Sequence, residues 1–121
     1  MTENEQRALA EYKDFLLHRF PHQIERLVLF GSKARGDSAA DSDIDVLVLL
    51  RRRAEPSADG FYPLGLADPV WREIVGVTFD LLMKYDVEIS PTVMGMSEYE
   101  VHSPLVGHIR KEGIELWKRS D

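Results

Sequence analysis

Near the start of the chain Ala8, Tyr12, Phe15, Leu16 and Arg19 recur at helical spacing, with Leu9 and Phe20 flanking the stripe. The period predicts an amphipathic helix over about residues 3–19. Thr2-Glu-Asn-Glu5 has the spacing of a capping box, and Pro21 stops the helix. The pattern then changes. Ile24 to Phe30 (IERLVLF) is β-branched and aromatic and ends at Gly31-Ser32, which predicts a strand. Asp43 to Leu50 (DIDVLVLL) is almost wholly apolar after its start. Such a strand is covered on both faces and belongs in the interior of a sheet. Between the two lies KARGDSAADS, small, polar and turn-rich.

Arg51 to Leu66 carries charges, two Pro and two Gly, and reads as a long loop. Asp68-Pro69 marks a helix start, an acidic N-cap followed by Pro at the first helical position. Val70, Ile74, Val77, Leu81 and Tyr85 form its stripe, with Trp71, Val75, Thr78 and Leu82 beside it. That apolar face is wide enough to cover a core and also to reach a partner. Val87 to Met94 (VEISPTVM) alternates like a strand, and Pro91 argues for an edge or an interruption. Ser103-Pro104 predicts a last helix over about residues 104–118. The order helix, strand, strand, helix, strand, helix predicts a small α/β (α+β) unit with one sheet.

Composition narrows this. A chain of 121 residues reads as a single domain, residues 1–121, large enough for a core without staples. Cysteine is absent, which removes disulfides, thiol catalysis and thiolate metal sites. The charged start has no apolar run behind it, and Val46 to Leu50 is too short to span a bilayer. The expectation is a soluble, cytoplasmic protein without membrane contact. Acids outnumber bases 21 to 15, for a formal charge of −6. That balance argues against an extended nucleic-acid partner.

The chemistry is concentrated in GSKARGDSAADSDID, residues 31–45. Asp43 and Asp45 are two apart on a strand, so both leave the same face, roughly 7 Å apart. Two carboxylates side by side repel each other and suit a hard cation such as Mg²⁺. Ile44, Val46 and Val48 point the other way, into the core. Gly31 and Ser32 stand where the first strand ends and turns into a short helix. Glycine lets a phosphate approach the backbone, and the amides and hydroxyl of such a turn hold an anion. Lys33 and Arg35 add positive charge. A nucleoside triphosphate with Mg²⁺ needs both features.

Gly-Ser, ten residues and then Asp-x-Asp resembles the signature of the polymerase-β-type nucleotidyltransferase superfamily. The form GSKARGDSAADSDID resembles its small branch, the minimal nucleotidyltransferases. The resemblance is dense over residues 30–48. It implies a polymerase-β-like fold, a small mixed sheet flanked by helices. It implies transfer of a nucleoside monophosphate, from ATP or another triphosphate, to an acceptor hydroxyl with loss of pyrophosphate. Two Mg²⁺ ions would be held by Asp43, Asp45 and a third acid on a later strand. Glu88 is the candidate for that third acid, since Val87 and Ile89 would face the core and Glu88 the opposite side. The family usually has Asp there, and Glu reaches further by one methylene. Asp86, of the same parity, is the alternative. Gly31, Ser32, Lys33 and Arg35 are the candidate phosphate contacts. Arg35 has a competing reading as a partner of Asp37 or Asp41.

The Arg51-Arg52-Arg53 run reads as a solvated loop. His18, His22, His102 and His108 show no metal spacing and read as structural or surface residues, and Trp71 and Trp117 as anchors in a core or interface. Larger members of the superfamily add a domain for the acceptor, for which this chain leaves no room. The acceptor is then small or brought by a partner. Minimal nucleotidyltransferases are often encoded beside a helical HEPN protein, in pairs that resemble toxin–antitoxin modules. That resemblance implies an antitoxin that adenylylates a tyrosine of its partner. Two alternatives stand beside it: a weak or inactive nucleotide-binding module that neutralises by covering its partner, and a modifier of small molecules of the aminoglycoside type, whose cleft a homodimer would build. Oligomeric state and base preference leave no trace in the sequence.

Overall fold

The computed structural model describes residues 1–37, 42–52, 68–101 and 103–120. Helix α1 spans Glu3–Arg19 and strand β1 Ile24–Phe30, both at the expected places. The capping box forms: Thr2 Oγ1 accepts the Glu5 amide at 3.1 Å, and Glu5 Oε1 accepts the Thr2 amide at 2.8 Å. A single-turn helix α2 (Ser32–Arg35) follows β1, then β2 (Ile44–Leu50) and α3 (Pro69–Tyr85). Asp68 caps α3 by accepting from the Val70 and Trp71 amides. The remaining elements are β3 (Ile89–Gly95), a one-turn helix α4 (Met96–Tyr99), α5 (Pro104–Glu112) and β4 (Ile114–Lys118).

The four strands form one mixed sheet in the order β3-β2-β1-β4. β1 runs antiparallel to β2 and β4, and β2 runs parallel to β3. β2 is thus interior, as its unbroken apolar run demands, and Pro91 lies on the edge strand, where a missing N–H costs no ladder bond. The pleat divides β2 between two cores. Ile44, Val46, Val48 and Leu50 join Ala8, Tyr12 and Leu16 of α1 and Ile74 and Leu81 of α3. Leu47 and Leu49 meet Val28, Met94, Tyr99, Val106 and Ile109 on the opposite face. The sheet therefore lies between α1 and α3 on one side and α4 and α5 on the other. The Tyr12 hydroxyl donates to the Ile74 carbonyl at 2.9 Å, and burial pushes its pKa far up. Arg19 grips Glu73 with two bonds of 2.8 Å, which ties α1 to α3.

One expected element is wrong. The last helix does not run to residue 118. It ends at Glu112, and Ile114–Lys118 is a strand that pairs with the outer edge of β1. The chain turns extended at Gly113 (φ −67°, ψ 145°), where a side chain would collide with Val28 and with the Ile109 carbonyl. Past it, an uncovered β1 edge is a stronger claim on the backbone than one more helical turn. Leu116 and Trp117 pack against the core from this strand. The third strand begins at Ile89 rather than Val87, so Val87 and Glu88 precede it. Four features lie outside the described residues: the loop beyond Arg52, Arg53, Asp41 and His102. Among the described residues no helix is long and apolar enough to cross a membrane.

Candidate active site

The parallel pairing of β2 with β3 assembles the site. In its register Ile44 faces Ile89 and Asp45 faces Ser90, while Phe30 of β1 faces Asp45 from the other side. The Ile44 amide donates to the Glu88 carbonyl at 2.9 Å, which holds the start of β2 beside the approach to β3. Asp43, Asp45 and Glu88 therefore gather at one end of the sheet. Glu88 is exposed while its neighbours Val87 and Ile89 are buried, the alternation expected of it. Asp86 instead caps the end of α3 in the left-handed region, at φ 56°.

The electrostatics record the crowding. Burial, with the charge of Asp43 added, raises the Asp45 pKa above the usual carboxylate range, and Arg35 opposes the shift. The charge of Asp43 and a hydrogen bond with it raise Glu88 likewise. Burial leads at Asp45 and the Asp43 charge leads at Glu88, so the negative charge of Asp43 reaches both acids. The Ser90 hydroxyl donates to Asp43 Oδ2 at 2.8 Å and so orients that carboxylate. Oxygen-only donors in mutual repulsion fit Mg²⁺ by their chemistry. Among the described residues no three such groups already close around one point. Glu88 is exposed and shares a hydrogen bond with Asp43.

Gly31 adopts φ 75°, a region closed to most side chains, and a Cβ there would run into Asp45 Oδ2. Its lack of a side chain thus brings the turn and the carboxylate together. Ser32 opens α2, and its hydroxyl lies 3.5 Å from that of Ser42. Arg35 donates to Asp37 at 3.2 Å and to Glu112 of α5 at 3.1 Å. It remains partly exposed and near enough to Asp45 to affect its titration. Lys33 goes elsewhere: its ammonium is buried against Glu5 of α1. Thr2, Asn4, Glu5, Ser42, Tyr85, Asp86, Val87 and Glu88 line a cleft of about 260 Å³ beside the carboxylates. A more apolar groove of about 320 Å³ shares Glu88 and runs along Val75, Phe79 and Leu82 of α3 to Pro91.

Residues 9–102 match the nucleotidyltransferase domain family. The chain belongs to this family. Its members transfer nucleotidyl groups. The chain is 30% identical over 90 residues to a Methanocaldococcus jannaschii protein named "Putative protein adenylyltransferase MJ0604", covering 74% of this chain and 73% of that one. A toxin–antitoxin structure with AMP-PNP superimposes with a TM-score of 0.54 at 20% identity, covering 90% of this chain and 73% of the other. A doubly substituted form of the toxin–antitoxin MntA-HpeT gives 0.56 at 18%, with the same coverage. At such identities these two establish the fold, the polymerase-β-like nucleotidyltransferase fold.

Ser90, Glu5 and Glu112 were not legible as site residues. Ser90 had one signal, its same-face spacing from Glu88 on a strand. Glu5 showed only its capping role. Glu112 had none, because it meets Arg35 only through the docking of α5.

Proposed function

We propose that this nucleotidyltransferase transfers AMP from ATP, with Mg²⁺, to a hydroxyl of a protein partner, a tyrosine of a helical HEPN-type toxin. The observation that carries the reading is the placing of Asp45 against the Gly31 turn, with Asp43 and Glu88 close enough to share a hydrogen bond beside it. Magnesium, when bound, supplies charge neutralisation for the triphosphate and makes the acceptor hydroxyl more acidic. Asp43 and Asp45 would hold it together with Glu88, and Ser90 keeps Asp43 in position. Gly31 and Ser32 present backbone and hydroxyl to the phosphates, and Arg35 adds charge at their edge. The acceptor oxygen bonds to the α-phosphorus as the bond to the β-phosphate oxygen breaks. Pyrophosphate leaves, and a Glu88 carboxylate oxygen takes the hydroxyl proton.

A protein acceptor is supported by the apolar surface of α3, whose Phe79 and Leu82 share a groove with Glu88. Phe79 and Met83 of α3 are 63% and 86% exposed, with Leu82 between them. Exposed apolar clusters of this kind mark association sites. The toxin–antitoxin neighbours and the adenylyltransferase relative point the same way. The test is transfer of label from α-labelled ATP to a co-purified helical partner, with and without Mg²⁺. Label on the partner, lost with Asp45→Asn, is the expected result. No transfer by the wild-type chain at any metal concentration would sink the reading. The covering alternative predicts that Asp45→Asn still neutralises the partner, whereas catalysis predicts that it does not.

A further inference from the structure

We propose that Glu5 is a positioning residue for the nucleotide: its buried ion pair with Lys33 fixes the Gly31-Ser32 turn to the start of α1. The inference rests on the nucleotidyl-transfer reading above. Lys33 Nζ lies 2.6 Å from Glu5 Oε2, and the two side chains are only 4% and 8% exposed. The other Glu5 oxygen is occupied by the Thr2 amide at 2.8 Å. One carboxylate thus caps α1 and grips α2 at the same time. Burial alone would raise its pKa, but the bonds from Lys33 and Thr2 prevail and hold it below the ordinary range.

α2 needs such a hold. It has four residues and no side-chain cap at Gly31, so its own hydrogen bonds define its direction poorly. Its carbonyl-to-amide bonds from Gly31 and Ser32 close one turn only. The Lys33 side chain is its buried anchor on the α1 side, and Arg35 clips it to Glu112 on the other. Glu5 also lines the 260 Å³ cleft together with Ser42 and Glu88, so the strut forms part of the wall of the site. Gly31 is in contact with Asp45, so any swing of α2 moves the turn relative to that carboxylate. A lysine that the sequence offers as a phosphate contact serves instead to place the backbone that makes the contact.

The test uses the full chain, titrated with the fluorescent analogue mant-ATP in Mg²⁺ and assayed for KM and kcat with labelled ATP. Glu5→Gln keeps an oxygen for the Thr2 amide and removes only the charge. It is expected to raise the mant-ATP Kd and the KM for ATP about tenfold, with kcat within about threefold. Lys33→Met should do the same, and Glu5→Gln with Lys33→Met should be no worse than the poorer single variant. Asp68→Ala removes the cap of α3 at the helix end opposite Tyr85 and the cleft, so it should lower Tm and leave KM unchanged. If Glu5→Gln and Lys33→Met lower Tm yet leave Kd and KM at wild-type values, the proposal is overturned. Should the single variants not fold, Glu5→Leu with Lys33→Met replaces the pair by apolar groups and carries the same test. A raised KM in that folded variant supports the proposal, and a wild-type KM overturns it. A wild-type chain that binds no mant-ATP would overturn the nucleotidyl reading and this inference together.

Discussion

At Gly31 two demands meet on one atom. The backbone turns through positive φ, and the space a Cβ would take belongs to the Asp45 carboxylate. Gly31→Ala is therefore expected to cost about 1–2 kcal/mol in urea unfolding, and to abolish transfer by displacing Asp45. The neighbouring acids behave in the opposite sense. Asp45 and Glu88 have raised pKa values, so the folded chain binds protons more tightly than the unfolded one. Stability from these groups is then highest below their ordinary values and falls as pH rises through the raised ones. Asp43→Asn removes the charge that both of them feel. In metal-free buffer near neutral pH it should raise Tm, and with Mg²⁺ present transfer should fall on the order of a hundredfold or more. A lowered Tm would show that Asp43 is held by more than it repels. Ser90→Ala should lower transfer about tenfold by releasing Asp43, with little change in Tm. The two aspartates and the Gly-Ser turn were legible as residues because their chemistry is local. Ser90 was not, since its role depends on which strand lies beside β2.

Among the elements, β4 separates local preference from global demand. Ser103-Pro104 starts a helix as its cap chemistry requires, but Gly113 ends it early. Its last residues then satisfy the open edge of β1, where Leu27 faces Trp117 and Val28 faces Glu115. Trp117→Ala should destabilise the chain by about 2 kcal/mol, below the cost for a fully buried Trp because the ring is only half covered. Circular dichroism should show no loss of helix on cutting the segment after Gly113. The other elements followed from period and punctuation. α1, β1 and α3 begin and end where caps, prolines and the Gly-Ser turn place them. Their patterns are strong enough that tertiary contacts had nothing to overrule.

For the whole molecule, charge and exposed surface are the quantities that matter. Glu5 and Asp68 both have lowered pKa values: burial works against each, and the bonds from Lys33 and from Arg52 outweigh it. Their contribution is fully present above their ordinary values, 4.5 and 3.8, and is lost as pH falls through the lowered ones. Acid unfolding should thus steepen below about pH 4.5, and Glu5→Gln should flatten that limb in a Tm-against-pH series. The α3 patch has no such role inside the fold. Met83→Lys should leave stability within about 0.5 kcal/mol and weaken capture of the helical partner. Equal capture by the variant would move the interface elsewhere.

The sequence by itself marked the candidate residues and most of the elements that bear them. Gly31, Ser32, Asp43 and Asp45 sit within one short stretch, and hydrophobic period identifies a helix or a buried strand over a few turns. Only the tertiary structure decided how distant pieces share the work. Glu88 joins Asp43 because β3 lies parallel beside β2. Lys33 pairs with Glu5 because α1 packs near the turn, and the tail becomes a strand because β1 has an edge to cover. Chemistry and periodicity are written in neighbouring residues, whereas ion pairs and sheet edges form between segments whose meeting no local pattern records.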